Sequence, residues 1–277
     1  MSEVYLFGHP VSHSLSPAMH NAAFRSLKLP HRYTALDVSS EGLINVVTTL
    51  RHGDALGANV TIPHKEAAVR MVDEATEVAH RIGALNTIVR RGARLIGDNT
   101  DKYGFERAIA DAPGGHHSAT GSLFAMDTVL VLGAGGAARA CILALLEQEN
   151  SVLVAARDLV RAETVARALA PFGIGGRTVE AVAWPTGAVF VDGVVNATPL
   201  GMRGEDPLEG VALPPMVVDI VPTAEETPLV KRARAAENVT VVDGLSMLLH
   251  QAARSFELWT GVPAPLEVMR AALPRPA

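Results

Sequence analysis

The sequence predicts an α/β protein of two domains, and three observations carry that prediction. Short β-rich runs alternate with helical patterns along most of the 277 residues, the signature of βαβ units built around mainly parallel sheets. Ala112-Pro113-Gly114-Gly115-His116-His117-Ser118 is a breaker-rich stretch without periodicity and reads as a linker. Beyond it a second α/β run begins, and a chain of this length suits two domains.

In the first run, strands are expected at 4–7, 31–36, 56–61, 84–89 and 95–97. The last two flank the polar turn Arg90-Arg91-Gly92-Ala93-Arg94 and should pair as an antiparallel hairpin. Helices fit 17–27, 40–50, 64–72 and 103–110, with Pro17 and Pro63 placed where proline suits a first turn. In the second run, strands fit 128–132, 152–155, 189–195, 217–221 and 239–242, with helices at 137–147 and 159–170. A closing helix at 245–258 carries Leu245, Leu248, Leu249, Ala252 and Phe256 on one stripe.

Composition removes whole classes of function. Hydrophobic residues at 48% and charged residues at 19% exclude a disordered chain. The 24 Lys and Arg against 29 Asp and Glu give a net charge of −5, so no basic field awaits nucleic acid. The single cysteine, Cys141, forms no intramolecular disulfide and no cysteine-based zinc site. Ten histidines without H-E-x-x-H spacing give no reason to expect a metal. No apolar run reaches the ~18 residues of a membrane span, and MSEVYLFGHP lacks a signal-peptide core. A cytoplasmic protein with no membrane association is expected.

The strand at 128–132 runs into Gly133-Ala134-Gly135-Gly136-Ala137-Ala138, a G-x-G-x-x-A followed by a helix. Gly133 allows the tight turn, Gly135 lets backbone approach a pyrophosphate, and Ala138 permits close helix–strand packing. Gly136 and Ala137 open the helix whose free N–H groups face the phosphates. This is the phosphate turn of a Rossmann domain. An NAD site usually places Asp or Glu at the end of the second strand; here Arg157 stands there, with Arg161 one turn later. Two arginines suit a 2′-phosphate and hence NADP, with NAD as the weaker alternative. Asp158 between them reads as a helix N-cap.

Four polar clusters follow strand ends in the first domain: Ser12-His13-Ser14-Leu15-Ser16, Asn59-Val60-Thr61-Ile62-Pro63-His64-Lys65, Asn86-Thr87 and Asn99-Thr100-Asp101. Ligands of open α/β sheets bind at such carboxyl ends. The clusters offer hydroxyls, carboxamides, an ammonium and a carboxylate, a set matched to a small polyhydroxylated acid. Each alone would ordinarily be turn and capping chemistry.

With FGHPVSHSLSPAMHNAAF, GANVTIPHK, GALNTI, GDNTD, VLGAGGAAR, NATPLGM and DGLSMLLHQAARSFELWTG, the sequence resembles the shikimate dehydrogenases along nearly its whole length. The combination of SLSP, NVTIPHK and NTD is far more specific than the glycine motif. The resemblance implies reversible NADPH-dependent reduction of 3-dehydroshikimate to shikimate, on the route through chorismate to aromatic amino acids. It implies a substrate domain from 1–111 and 245–277, and an NADP-binding Rossmann domain from 112–244. The C-terminal helix then returns to the first domain. By motif, Ser14 and Ser16 would hold the substrate carboxylate, and Thr61, Asn86 and Gln251 its ring oxygens. Lys65 and Asp101 would form the catalytic pair, while Gly244 would border the cofactor with the glycine turn. The implied partners are small molecules alone, with the chain a monomer or homodimer.

Chemistry supports the pair independently, because hydride arriving at a ketone leaves negative charge on oxygen and a proton donor must lie beside it. Lys65 supplies proton and charge, and Asp101 orients it. Ser14 and Ser16, two residues apart, would face one side if their segment is extended.

Three departures from the family pattern stand out. Asp219-Ile220-Val221-Pro222 replaces Asp-x-x-Tyr, Lys102-Tyr103 follows the NTD motif where a small residue is usual, and Ala156-Arg157-Asp158 replaces Asn-Arg-Thr. The first two leave open a quinate or aminoshikimate dehydrogenase of the same family, and the third bears on the choice between NADP and NAD. A non-catalytic nucleotide sensor on this fold is the remaining alternative, and the intact Lys65 and Asp101 oppose it.

Overall fold

A computed structural model describes residues 2–112, 126–185 and 190–274. All of the expected linker beyond Ala112, and Val189 at the start of one expected strand, lie outside them. The chain divides into two compact units, Met1–Gly104 with Leu249–Pro274, and Phe105–Leu248.

The first unit runs β1 (Ser2–Gly8), α1 (Ser16–Ser26), β2 (His31–Asp37), α2 (Leu43–His52), β3 (Gly57–Val60), α3 (Lys65–Ala68), β4 (Glu74–Ala75), α4 (Glu77–Ile82), β5 (Thr87–Arg91), β6 (Arg94–Asp98) and the start of α5 (Asp101–Ala110). Its sheet has the order β2-β1-β3-β5-β6-β4. β1 lies parallel to β2 and β3, β4 is parallel to β6, and β5 is antiparallel to both neighbours. The expected hairpin is therefore β5–β6, turned at Gly92 (φ 64°). Phe7, Leu43, Val47, Leu50, Val60, Ile88 and Leu95 fill the core against α2. Against α1, a cluster of rings from Phe24, Tyr33, Phe256 and Trp259 surrounds His20.

The strand expected at 189–195 begins only at Gly193 and the helix expected at 40–50 only at Leu43, and two further differences touch the loops of the site. The strand expected from residue 84 begins only at Thr87, because the Leu85 N–H donates to the Lys65 carbonyl and the Ala84 carbonyl accepts from Asn99 Nδ2. Those residues are tied to the loops that carry Lys65 and Asp101. The helix expected at 64–72 is one α-helical turn, α3, then a 3₁₀ turn at Val69–Met71 that ends where Val72 becomes extended.

The second unit carries β7 (Thr128–Leu132), α6 (Gly136–Glu147), β8 (Ser151–Ala155), α7 (Leu159–Leu169), β9 (Val179–Val182), β10 (Gly193–Asn196), β11 (Met216–Asp219), α8 (Pro228–Ala235) and β12 (Thr240–Val242). Every pair in the order β12-β11-β10-β7-β8-β9 is parallel. That order is a doubly wound dinucleotide-binding sheet with its switch point between β7 and β10. α6 is buried on nearly all sides, which explains its run Ala140-Cys141-Ile142-Leu143-Ala144-Leu145-Leu146, and Cys141 is core. Finally α9 (Gly244–Thr260) leaves the second unit at Leu248 and returns to the first, followed by α10 (Leu266–Ala271). Trp259 Nε1 donates to the Ile88 carbonyl at 3.0 Å and anchors it there. Among the described residues no helix is long and apolar enough to cross a membrane.

Candidate active site

In the first unit the polar residues of three loops converge. Lys65 opens α3 just after β3, Asp101 opens α5 just after β6, and Asn86 directly precedes β5. Lys65 Nζ stands 2.5 Å from Asp101 Oδ2, with both side chains largely buried. The other carboxylate oxygen, Oδ1, accepts from Asn86 Nδ2 at 2.9 Å. The Asp101 N–H donates to Asn99 Oδ1 at 3.0 Å.

The orientation of Asn86 is settled by backbone chemistry. Its Oδ1 accepts from the Thr100 N–H at 2.8 Å, and an amide N–H cannot accept in return. Nδ2 therefore faces Asp101, Thr100 Oγ1 and Gln251 Oε1, the last at 3.2 Å. The sequence-predicted Lys65, Asn86, Asp101 and Gln251 thus form one hydrogen-bonded cluster. Thr61 lies four residues before Lys65, its N–H donating to the Phe7 carbonyl.

The serine pair departs from the expected geometry. Leu15 is helical (φ −82°, ψ −12°) and Ser16 is the first residue of α1, so the segment is a turn and not an extended strand. Ser14 Oγ accepts from the Ser16 N–H at 3.3 Å, and Ser16 is buried. Neither serine joins the lysine cluster directly.

Beneath the cluster lies a polar floor that sequence reasoning did not single out. Asn59 Nδ2 donates to the Asn86 carbonyl at 2.9 Å, and its Oδ1 accepts from the Tyr33 hydroxyl at 2.8 Å. Burial pushes the Tyr33 phenol well above its usual range, so it stays a neutral donor. Ser255 on α9 reaches Asn59, Thr87 and Thr100 within 3.1 Å. Asn59, Thr87 and Thr100 sit inside the four polar clusters, where no individual role was assigned to them. The i, i+4 spacing of Ser255 from Gln251 is the one signal that could have found it.

In the second unit the glycine turn has the expected shape. Gly133 (φ +117°) packs so tightly that a Cβ would stand 2.7 Å from the Ala197 carbonyl oxygen, and its N–H donates to the Ala155 carbonyl of β8. A Cβ on Gly135 would meet nothing within 4 Å, so the room before that backbone is open. Gly136 and Ala137 begin α6, whose N-terminus has no side-chain cap. This is a cradle into which a pyrophosphate fits, with N–H donors facing it. Arg157 and Arg161 are exposed on the adjoining βα turn, and Asp158 caps α7 by accepting from the N–H groups of Val160 and Arg161. Gly244 opens α9, where a Cβ would lie 2.4 Å from the Val221 carbonyl oxygen, so close backbone packing demands glycine there. Pro222 is exposed in the loop after β11. Among the described residues no group of three His, Cys, Asp or Glu side chains could hold a metal ion.

A doubly wound dinucleotide sheet and a separate α/β unit presenting a lysine–carboxylate pair define a nicotinamide-dependent oxidoreductase of the two-domain type. Residues 6–88 match the model of the shikimate dehydrogenase substrate binding domain, and residues 244–273 that of the shikimate 5'-dehydrogenase C-terminal domain. Shikimate dehydrogenase (NADP(+)) of Salinibacter ruber is 43% identical, over 94% of this chain and 93% of that protein. The structure of shikimate 5-dehydrogenase from Thermus thermophilus in complex with NADP(H) and shikimate superposes with a TM-score of 0.81 at 35% identity, covering 98% of each chain. Quinate dehydrogenase from Corynebacterium glutamicum in complex with NAD gives 0.81 at 30% identity, again over 98% of each. The chain belongs to the shikimate dehydrogenase family.

Proposed function

We propose that the protein is an NADP-dependent shikimate dehydrogenase that reversibly reduces 3-dehydroshikimate to shikimate, within the route to chorismate and the aromatic amino acids. The observation that carries this reading is the Lys65–Asp101 pair at 2.5 Å, held by Asn86, which in turn donates to Gln251. NADPH, when bound, supplies hydride to the C3 ketone. Lys65 Nζ donates the proton to the oxygen that becomes the C3 hydroxyl, and its partial exposure gives a route for reprotonation from solvent. Asp101 fixes the ammonium and, through Asn86, the ring hydroxyls. Ser14 and Ser16 bind the carboxylate, and Thr61 and Gln251 complete the contacts to ring oxygens.

Residues 1–111 and 245–277 serve as the substrate domain and 112–244 as the NADP domain. Gly133, Gly135, Gly136 and Ala137 hold the pyrophosphate, Arg157 and Arg161 the 2′-phosphate, and Gly244 the cofactor's border. The same reading puts the enzyme in the cytoplasm with the soluble NADPH pool, as a monomer or a homodimer that equilibrium sedimentation distinguishes. The exposed Pro222 in place of a tyrosine favours quinate as a second substrate. The test is a panel of shikimate and quinate, each with NADP and NAD, followed by the near-ultraviolet absorbance of the reduced cofactor. Shikimate with NADP should give the highest kcat/KM; no reduction with any shikimate pair refutes the proposal.

A further inference from the structure

We propose that Asp219 is a positioning residue for cofactor binding, a buried carboxylate that sets two loops against the glycine turn. The inference rests on the NADP reading above and uses residues that reading leaves unassigned. Asp219 ends β11 and Asn196 ends β10, and the two are register partners in adjacent parallel strands. Both are fully buried. Among the described residues Asp219 makes no ion pair, so only its hydrogen bonds offset the cost of burying a carboxylate. Burial lifts its pKa to about 6, against the pull of its donors.

Those donors come from three segments. Asn196 Nδ2 donates to Oδ1 at 2.9 Å, the Val221 N–H to the same oxygen at 3.1 Å, and the Thr227 hydroxyl to Oδ2 at 2.6 Å. Thr227 in turn caps α8, accepting from the Val230 N–H. The loop after β10 is wound around Asn196: Nδ2 also donates to the Leu200 carbonyl, and Oδ1 accepts from both the N–H and the hydroxyl of Thr198. Gly201 (φ +111°) then passes so near that a Cβ would stand 3.0 Å from Thr227 Cγ2.

That loop is the wall of the phosphate turn. The Ala197 N–H donates to the Leu132 carbonyl at the end of β7, and the Ala197 carbonyl is what a Cβ on Gly133 would strike, with Thr198 Cγ2 beside it at 3.4 Å. On the other side, the Val221 backbone is what a Cβ on Gly244 would strike. One carboxylate therefore fixes the loops that pack on Gly133 and on Gly244. An amide at 219 matches the carboxylate in size and can keep its oxygen toward Asn196 and Val221. Its Nδ2 then faces Thr227, whose hydroxyl must turn from donor to acceptor, and the charge on the acceptor is lost while the sheet remains.

The test is equilibrium binding of NADPH, followed by its fluorescence, and of shikimate, followed by calorimetry, to folded Asp219→Asn, Thr227→Val and Thr227→Ser. Asp219→Asn should weaken NADPH by about tenfold or more and Thr227→Val by less, since the lost bonds involve a charged acceptor. Thr227→Ser should bind as the wild type does, and shikimate affinity should hold in all three. If Asp219→Asn does not fold, Thr227→Val decides alone. Folded variants that bind NADPH normally, or that lose both ligands in proportion, overturn the proposal. A wild type that binds no NADPH refutes instead the cofactor reading beneath it.

Discussion

The first unit builds its site from side-chain atoms. An ammonium, a carboxylate and two carboxamides hold one another at 2.5–3.2 Å over a floor of hydroxyls, and every orientation is fixed by a named donor. The second unit builds its site from backbone. What matters there is where a side chain is missing, at Gly133 because the loop after β10 is too close and at Gly135 because space must stay open. Substitutions should therefore act differently in the two units: on the chemical step in the first, on cofactor affinity in the second.

The largest expected effect breaks the first unit's pair. Lys65→Ala should lower kcat by roughly 10²–10⁴-fold while KM for shikimate changes far less, because the proton donor is lost but the carboxylate and hydroxyl contacts stay. Asp101→Asn should also lower kcat. The double variant should be far less than additively worse, since the two groups act as one unit. Additive losses in steady-state kinetics would show that the pair does not.

On the cofactor side the expected effect is smaller and selective. Arg157 is exposed and Asp158 has its carboxylate engaged in capping α7, so under the proposed reading the two arginines would outweigh that one carboxylate at a 2′-phosphate. The wild type should prefer NADP over NAD by roughly 10- to 150-fold, the range set by one or two charge-assisted bonds. Arg157→Ala should erase most of that ratio with shikimate KM unchanged. A wild-type kcat/KM for NAD equal to that for NADP would recast Asp158 as a ribose ligand.

The variant with the smallest effect on activity separates packing from chemistry. His20 is fully buried among Tyr33, Phe256 and Trp259, neither ring nitrogen has a partner, and burial lowers its pKa from 6.5 to about 3. Because the unfolded chain takes up this proton first, stability is fully present above pH 6.5 and is lost as the pH falls toward 3. The loss amounts to at most on the order of 5 kcal/mol. His20→Phe should leave kcat intact and flatten that acid slope in urea unfolding. An unchanged slope would assign the acid sensitivity elsewhere.

The same contrast explains what could be read from the sequence. Lys65, Asn86, Asp101 and Gln251 were legible because their chemistry lies in their identity and their motifs are distinctive. The glycine turn was legible because strand, turn and helix stand in order around it. Asn59, Thr87 and Thr100 were legible only as members of polar clusters and Ser255 not at all, since a buried hydroxyl or carboxamide has the same letter as a capping one and only the fold shows what it faces. The serine pair was misjudged in shape because spacing alone cannot tell a turn from a strand, and Leu15 adopts helical angles. Among the elements, α4 and α8 are too short for a periodicity to register, although their caps were written in Thr76 with Gly83 and in Thr227-Pro228. β9 is an edge strand with a half-exposed pattern, and β4 is two residues long.

The division of labour between side chains and backbone is tested most directly by titrating NADPH into folded Gly135→Ala and Lys65→Ala. Gly135 has extended backbone angles and open space in front of it, so alanine fits the fold but fills the place of the pyrophosphate. The expected result is NADPH affinity weakened by about tenfold or more in Gly135→Ala, with thermal stability unchanged and Lys65→Ala binding as the wild type does. Wild-type NADPH affinity in Gly135→Ala, or an equal loss in Lys65→Ala, would contradict it.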